Sequence, residues 1–103
     1  MSPTRRSLAL LRGRGYRVAV VEHWNPHARC RQDLFGVIDL LAVKEGETLG
    51  VQCTSGLNNA AKRVAKLAES DAVPDLRKAG WRLEVHGWRK LKAGWTCKII
   101  DCS

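Results

Sequence analysis

No run of apolar residues in this 103-residue chain approaches the ~18–20 needed to cross a bilayer as a helix, which excludes a helical membrane span. The four cysteines, at 30, 53, 97 and 102, include no CxxC pair. Neither a zinc-ribbon nor a thioredoxin-like motif is therefore present. A secretory leader is not expected either, because the first 15 residues are arginine-rich around one brief apolar stretch, Leu8 to Leu11. Together these absences point to reduced thiols and a cytoplasmic protein. A GxSxG nucleophile elbow is missing, as are internal repeats and linkers.

Acidic residues are also scarce, ten against eighteen Lys and Arg, for a formal net charge of +8. A chain of this length buries roughly two-thirds of its unfolded surface, enough for one core and one domain spanning residues 1–103. Its 45% apolar and 27% charged residues are ordinary for a globular fold. The charge excess calls for a polyanionic partner, nucleic acid first. It is unevenly spread: residues 1–32 carry +6, residues 33–75 carry −3 and residues 76–103 carry +5. Basic flanks around an acidic middle suit a site that grips phosphate and reserves carboxylates for another task.

Ser2-Pro3 reads as a helix start, with the helix over 3–14 ended by Gly13 and Gly15. Tyr16 to Trp24 is β-branched and aromatic, a strand stopped by Asn25-Pro26, and a polar loop runs to about Gln32. Leu34–Val43 and Thr48–Thr54 flank Lys44-Glu45-Gly46-Glu47 as a hairpin. Pairing Val43 with Thr48 sets Asp39 opposite Gln52, and alternation adds Thr54 to that face. Apolar residues at 57, 60, 61, 64, 67 and 68 have helical spacing. A short helix from Ser70 or Asp71 to Gly80 follows, then strands over 81–88 and 95–102 joined by a basic turn, Arg89 to Gly94. The strand–helix–helix–strand succession makes a parallel crossover and an α/β domain.

Asp39 is the residue that asks for chemistry. A carboxylate inside VIDLLAV is costly to bury unless it is paired or binds a cation. Asp33, Glu22 and the Gln52 side chain are placed to join it. An all-oxygen set of this kind suits Mg²⁺ or Mn²⁺ better than zinc. His23, His27 and Cys30 make only an incomplete zinc set. His86 reads as an ordinary strand histidine, and Cys53 as a core residue behind Gln52.

The succession Gly15-Tyr16, strand, polar loop, Ile38-Asp39-Leu40, hairpin and Val51-Gln52-Cys53-Thr54-Ser55 resembles the PD-(D/E)XK nuclease core, closest to its small Holliday-junction-resolvase-like members. The resemblance covers about residues 3–68 and rests on element order more than on a strict motif. It implies an α/β fold with a restriction-endonuclease-like αβββαβ core, a central mixed sheet flanked by helices. It implies a metal-dependent DNA endonuclease with Mg²⁺ or Mn²⁺ as cofactor; a chain this small is then expected to act as a homodimer, one site per strand. Asp39 falls on the family's metal-binding Asp. Ile38 stands where Pro is common, Gln52 where Glu or Asp is usual, and Thr54 at the position of the Lys that orients water. The expected metal set is thus Asp39, Gln52, Asp33 and Glu22, with Thr54 orienting water and Lys62 or Lys66 standing in for the missing cation. The first helix offers Arg5 and Arg6 where resolvase-like members often carry Glu. Arg5, Arg6, Arg29, Arg31, Arg89, Lys90 and Lys92 are the expected nucleic-acid contacts. Tryptophans 81, 88 and 95 recur every seven residues, either as packing or as platforms for unpaired bases. The competing class is a non-catalytic DNA- or RNA-binding protein on the same fold, with Asp39 structural.

Overall fold

A computed structural model describes residues 1–103. Helix α1 (Pro3–Gly13) starts at Ser2, whose hydroxyl oxygen accepts from the Arg5 amide at 3.2 Å. Strand β1 (Arg17–Val20) follows, then β2 (His23–Asn25), β3 (Cys30–Gln32), β4 (Leu40–Lys44) and β5 (Glu47–Ser55). Helices α2 (Leu57–Glu69) and α3 (Val73–Lys78) lead to β6 (Arg82–Leu91) and β7 (Gly94–Asp101). Five strands form one mixed sheet in the order β1-β4-β5-β6-β7, while β2 and β3 pair only with each other. The β5–β6 pair is parallel and the other neighbours are antiparallel.

The sheet is covered on both faces, so its central strand β5 is buried from Leu49 through Thr54. Alternation sorts the side chains. Leu49, Val51 and Cys53 pack with Leu40, Ala42, Leu8, Leu11 and Tyr16 under α1. On the other face Leu83 and Val85 pack with Val37, Ile38, Ala60, Leu67, Val73 and Leu76 under α2 and α3. Gln52, on β5 between these apolar rows, therefore faces the α2 side.

Gly87 lets α2 lie close to β6: a Cβ there would sit 2.9 Å from the Ala60 Cβ. Two side-chain stems on packed elements cannot yield as a flexible tip would, so Gly87→Ala should cost about 1–3 kcal/mol. Urea unfolding checks this, and an unchanged midpoint would mean that α2 shifts freely.

The hairpin register is as expected, Val43 against Thr48 and Leu40 against Val51. Pro74 lies in the first turn of α3, which is shorter than the expected 70–80 span. Three boundaries need correction. The expected 16–24 strand ends at Val20: the Val21 amide still donates to the Asp39 carbonyl, one last bond in the β1–β4 register, and the chain then leaves the main sheet. The expected loop to Gln32 is largely the β2–β3 ribbon, turned by the Asn25 side-chain oxygen accepting from the His27 and Ala28 amides. Leu34 to Ile38, expected as strand, is a tight turn with Phe35 at φ 55° and Gly36 at φ 76°. In addition, most of the basic segment expected as a turn, Arg89 to Leu91, continues strand β6.

Candidate metal and phosphate site

Two interruptions between strands bring the acidic side chains together. Glu22 lies where β1 gives way to the ribbon, Asp33 follows β3, and Asp39 precedes β4. One carboxylate oxygen of each lies within 4.8 Å of the others. Asp39 is 5% exposed, and its Oδ2 accepts from the Cys53 amide at 2.8 Å. Burial, a hydrogen bond with Asp33 and the nearby charges of Asp33 and Glu22 push its pKa up to about 7, against the opposing pull of the Cys53 N–H.

The other two carboxylates have partners of their own. Glu22 accepts from the Thr4 hydroxyl at 3.3 Å and pairs with Arg31 at 3.4 Å. Asp33 accepts from Gln52 Nε2 at 3.2 Å and from Lys66 Nζ at 3.4 Å. Gln52 is 1% exposed, and its Oε1 is a buried polar atom with no hydrogen-bond partner. Leaving such an acceptor unsatisfied costs about 1–3 kcal/mol. An oxygen-seeking cation among these carboxylates would give the Gln52 carbonyl a use once its amide turns over. Carboxylate and amide oxygens are the donors that Mg²⁺ and Mn²⁺ prefer, so the residues present fit such an ion.

A cleft of about 340 Å³ opens beside Asp33, lined by His23, Arg31, Gln32, Gly36 and Lys66 with no apolar side chain. Of the basic residues expected at nucleic acid, Arg31 borders this cleft, and Arg29 sits at the ribbon turn with φ 51°. Arg5 and Arg6 lie on α1, where the Arg6 guanidinium sits 4.0 Å from the Trp95 ring centre. Arg89 and Lys90 extend β6 and Lys92 lies in the turn to β7, all exposed. Thr54 is buried on β5 opposite Gly87, and its hydroxyl makes no hydrogen bond to the acidic group. Lys66, one of the two stand-ins considered for the missing lysine, reaches Asp33; Lys62, one turn earlier on α2, does not. His27 and Cys30 do not join the acidic group, and all four cysteines are free. Trp88 is buried, whereas Trp95 is 45% exposed.

A second polar cluster lies on the opposite face. The Ser7 hydroxyl lies 2.9 Å from His86 Nδ1, and His86 Nε2 lies 2.9 Å from Glu84 Oε1. Trp88 Nε1 donates to Ser7 Oγ at 2.8 Å. This Ser-His-Glu order has the look of a hydrolase triad, but Ser7 and His86 are fully buried and Glu84 is 3% exposed. No substrate reaches it, so it ties α1 to β6. Sequence reasoning missed it because its members stand 79 residues apart.

Compared with known proteins, the chain matches no family model and no curated protein. No helix is long and apolar enough to cross a membrane.

Proposed function

We propose that the chain is a metal-dependent DNA endonuclease with a restriction-endonuclease-like fold, acting as a resolvase-like phosphodiester hydrolase. The observation that supports this most is the convergence of Glu22, Asp33 and Asp39 within 4.8 Å beside the unpartnered Oε1 of buried Gln52. An α1–β–hairpin–α2 order and a mixed five-stranded sheet agree with the reading.

Asp39, Asp33 and Glu22 would hold Mg²⁺ or Mn²⁺, with Gln52 as the uncharged fourth donor. When bound, such an ion neutralises phosphate charge and makes water more acidic. Arg31 and His23 line the cleft and draw the phosphodiester in, while Lys66 supplies the positive charge that Thr54 lacks. Hydrolysis then joins a water oxygen to phosphorus and releases one sugar oxygen as a hydroxyl. A homodimer would bring one such site to each strand of a duplex.

The alternative, a non-catalytic DNA- or RNA-binding protein, draws on the Lys66–Asp33 and Arg31–Glu22 pairs, which already offset two of the three carboxylates. Incubating linear, flapped and four-way DNA with Mg²⁺ or Mn²⁺ separates the two readings. Cleavage by the wild type that falls at least about 100-fold in Asp33→Asn is the expected result, since one charged ligand is lost. Binding without cleavage of any substrate would support the alternative. Cleavage unaffected by Asp33→Asn would remove the site assignment.

A further inference from the structure

The polar cleft beside Asp33 does not end at Lys66. A second cleft of about 490 Å³ shares both Lys66 and Gly36 with it, and runs on between the 34–38 turn and α2. The two halves differ in chemistry. The first is wholly polar, whereas the second is walled by Phe35, Val37 and Ala65, with Lys62, Lys66, Glu69 and Ser70 completing its lining, two cations against one carboxylate. Phe35 is 55% exposed and holds φ 55°, a conformation bulky L-residues rarely adopt. Its one aromatic neighbour is Trp81, edge-on at 6.1 Å between ring centres, so the Phe35 ring is not enclosed. A strained, exposed aromatic beside Lys62 and Lys66 is poorly explained by packing alone.

We infer that this second cleft takes an unpaired nucleotide next to the phosphate held at the acidic cluster, its base stacking on Phe35 and its flanking phosphates meeting Lys62 and Lys66. The inference rests on the nuclease reading and deepens it, because it names DNA with unpaired bases beside the cut as the substrate class. Stacking on an aromatic ring is tolerant of base identity, and two lysines as point charges carry no sequence information. The expected preference is therefore for structure, not for sequence. His23 and Arg31 lie on the other side of Lys66, so the strand would enter along the basic cleft and bend at Gly36.

Fluorescence anisotropy with labelled oligothymidylate, oligouridylate and a blunt DNA duplex tests this in the full chain, with calcium in place of magnesium. Phe35→Ala should weaken oligothymidylate binding about tenfold or more and leave duplex binding within about twofold, the stacking loss expected for one base. Phe35→Tyr should bind like the wild type, and both variants should keep the wild-type thermal midpoint. Equal loss on duplex and single strand, or no loss on either, overturns the inference, as does binding restricted to oligouridylate. If Phe35→Ala leaves single-strand binding intact while metal-dependent cleavage persists, the stacking site is wrong and the nuclease reading stands. If the wild type binds no oligonucleotide, both fall.

Discussion

Asp39→Asn should stabilise the metal-free protein above about pH 7 and abolish its response to Mg²⁺ or Mn²⁺. The carboxyl of Asp39 has a pKa of about 7 in the folded chain against an ordinary 3.8. Between these values the folded state binds a proton that the unfolded state has released. Stability therefore falls as pH rises through this window and stays low above it. A shift of this size corresponds to about 4 kcal/mol as an upper bound, taken as an order of magnitude for a group in contact with other carboxylates. Asparagine keeps the acceptor for the Cys53 amide, offers Asp33 a donor and carries no charge, so it removes the penalty without breaking the bonds. A divalent ion needs the carboxylate ionised, and it competes with the proton. The rise in thermal midpoint with Mn²⁺ should consequently grow as the pH rises in the wild type and vanish in Asp39→Asn. Urea titrations at several pH values, with and without Mn²⁺, read both effects. An Asn variant that is less stable at every pH would show that Asp39 is held as a structural carboxylate.

The largest loss of stability should come from His86→Ala, on the sheet face opposite the acidic cluster. Glu84 accepts only, so His86 Nε2 carries the proton toward it. Nδ1 then accepts from the Ser7 hydroxyl, whose oxygen accepts from Trp88. Every bond in this chain fixes the direction of the next. Removing the imidazole leaves a buried hydroxyl and a buried carboxylate short of partners and opens a void. Arg14 at 3.3 Å and Arg82 at 3.9 Å retain part of the charge pairing for Glu84. A cost of about 3–5 kcal/mol is expected. Ser7→Ala should cost less, and the double variant should cost less than the two single losses added, since the second truncation removes a group already orphaned. Simple additivity in urea unfolding would mean that the two side chains do not act together. Metal-induced stabilisation, scaled to each variant's own midpoint, should persist, because no acidic ligand has moved.

Much of the acidic site is legible in the sequence. Asp39 and Gln52 follow from hairpin arithmetic and the cost of burying a carboxylate, since short turns fix register and register fixes the face; Asp33 and Glu22 follow only from their places at the mouth of one strand and near the end of the one before it. Lys66 was one of two residues considered from the helix that follows β5. The turn around Phe35 was not read, although a Gly three residues after Asp33 was an available sign of a bend inside an otherwise strand-like run. The β2–β3 ribbon is hidden because its turn depends on the Asn25 side chain, and Asn25-Pro26 reads locally as a strand stop. Nothing local marks Ser7 or Glu84, whose roles arise only when α1 and β6 meet across the sheet. Charge reports how many cations there are, while the fold decides which of them border the cleft, and of the basic residues expected at nucleic acid Arg31 does.

The α1–β6 tie also constrains the order of folding. Every proposed metal ligand falls between residues 22 and 52, within β1 to β5 and their connections. Leu8 and Leu11 can find their aliphatic partners on β4 and β5 as soon as that hairpin closes, but Ser7 must wait for a strand made some 79 residues later. Closing so long a loop is entropically slow, and it comes after the local hairpin. The half of the molecule that holds the ligands can thus collapse early, while the clamp that secures its first helix is among the last contacts formed.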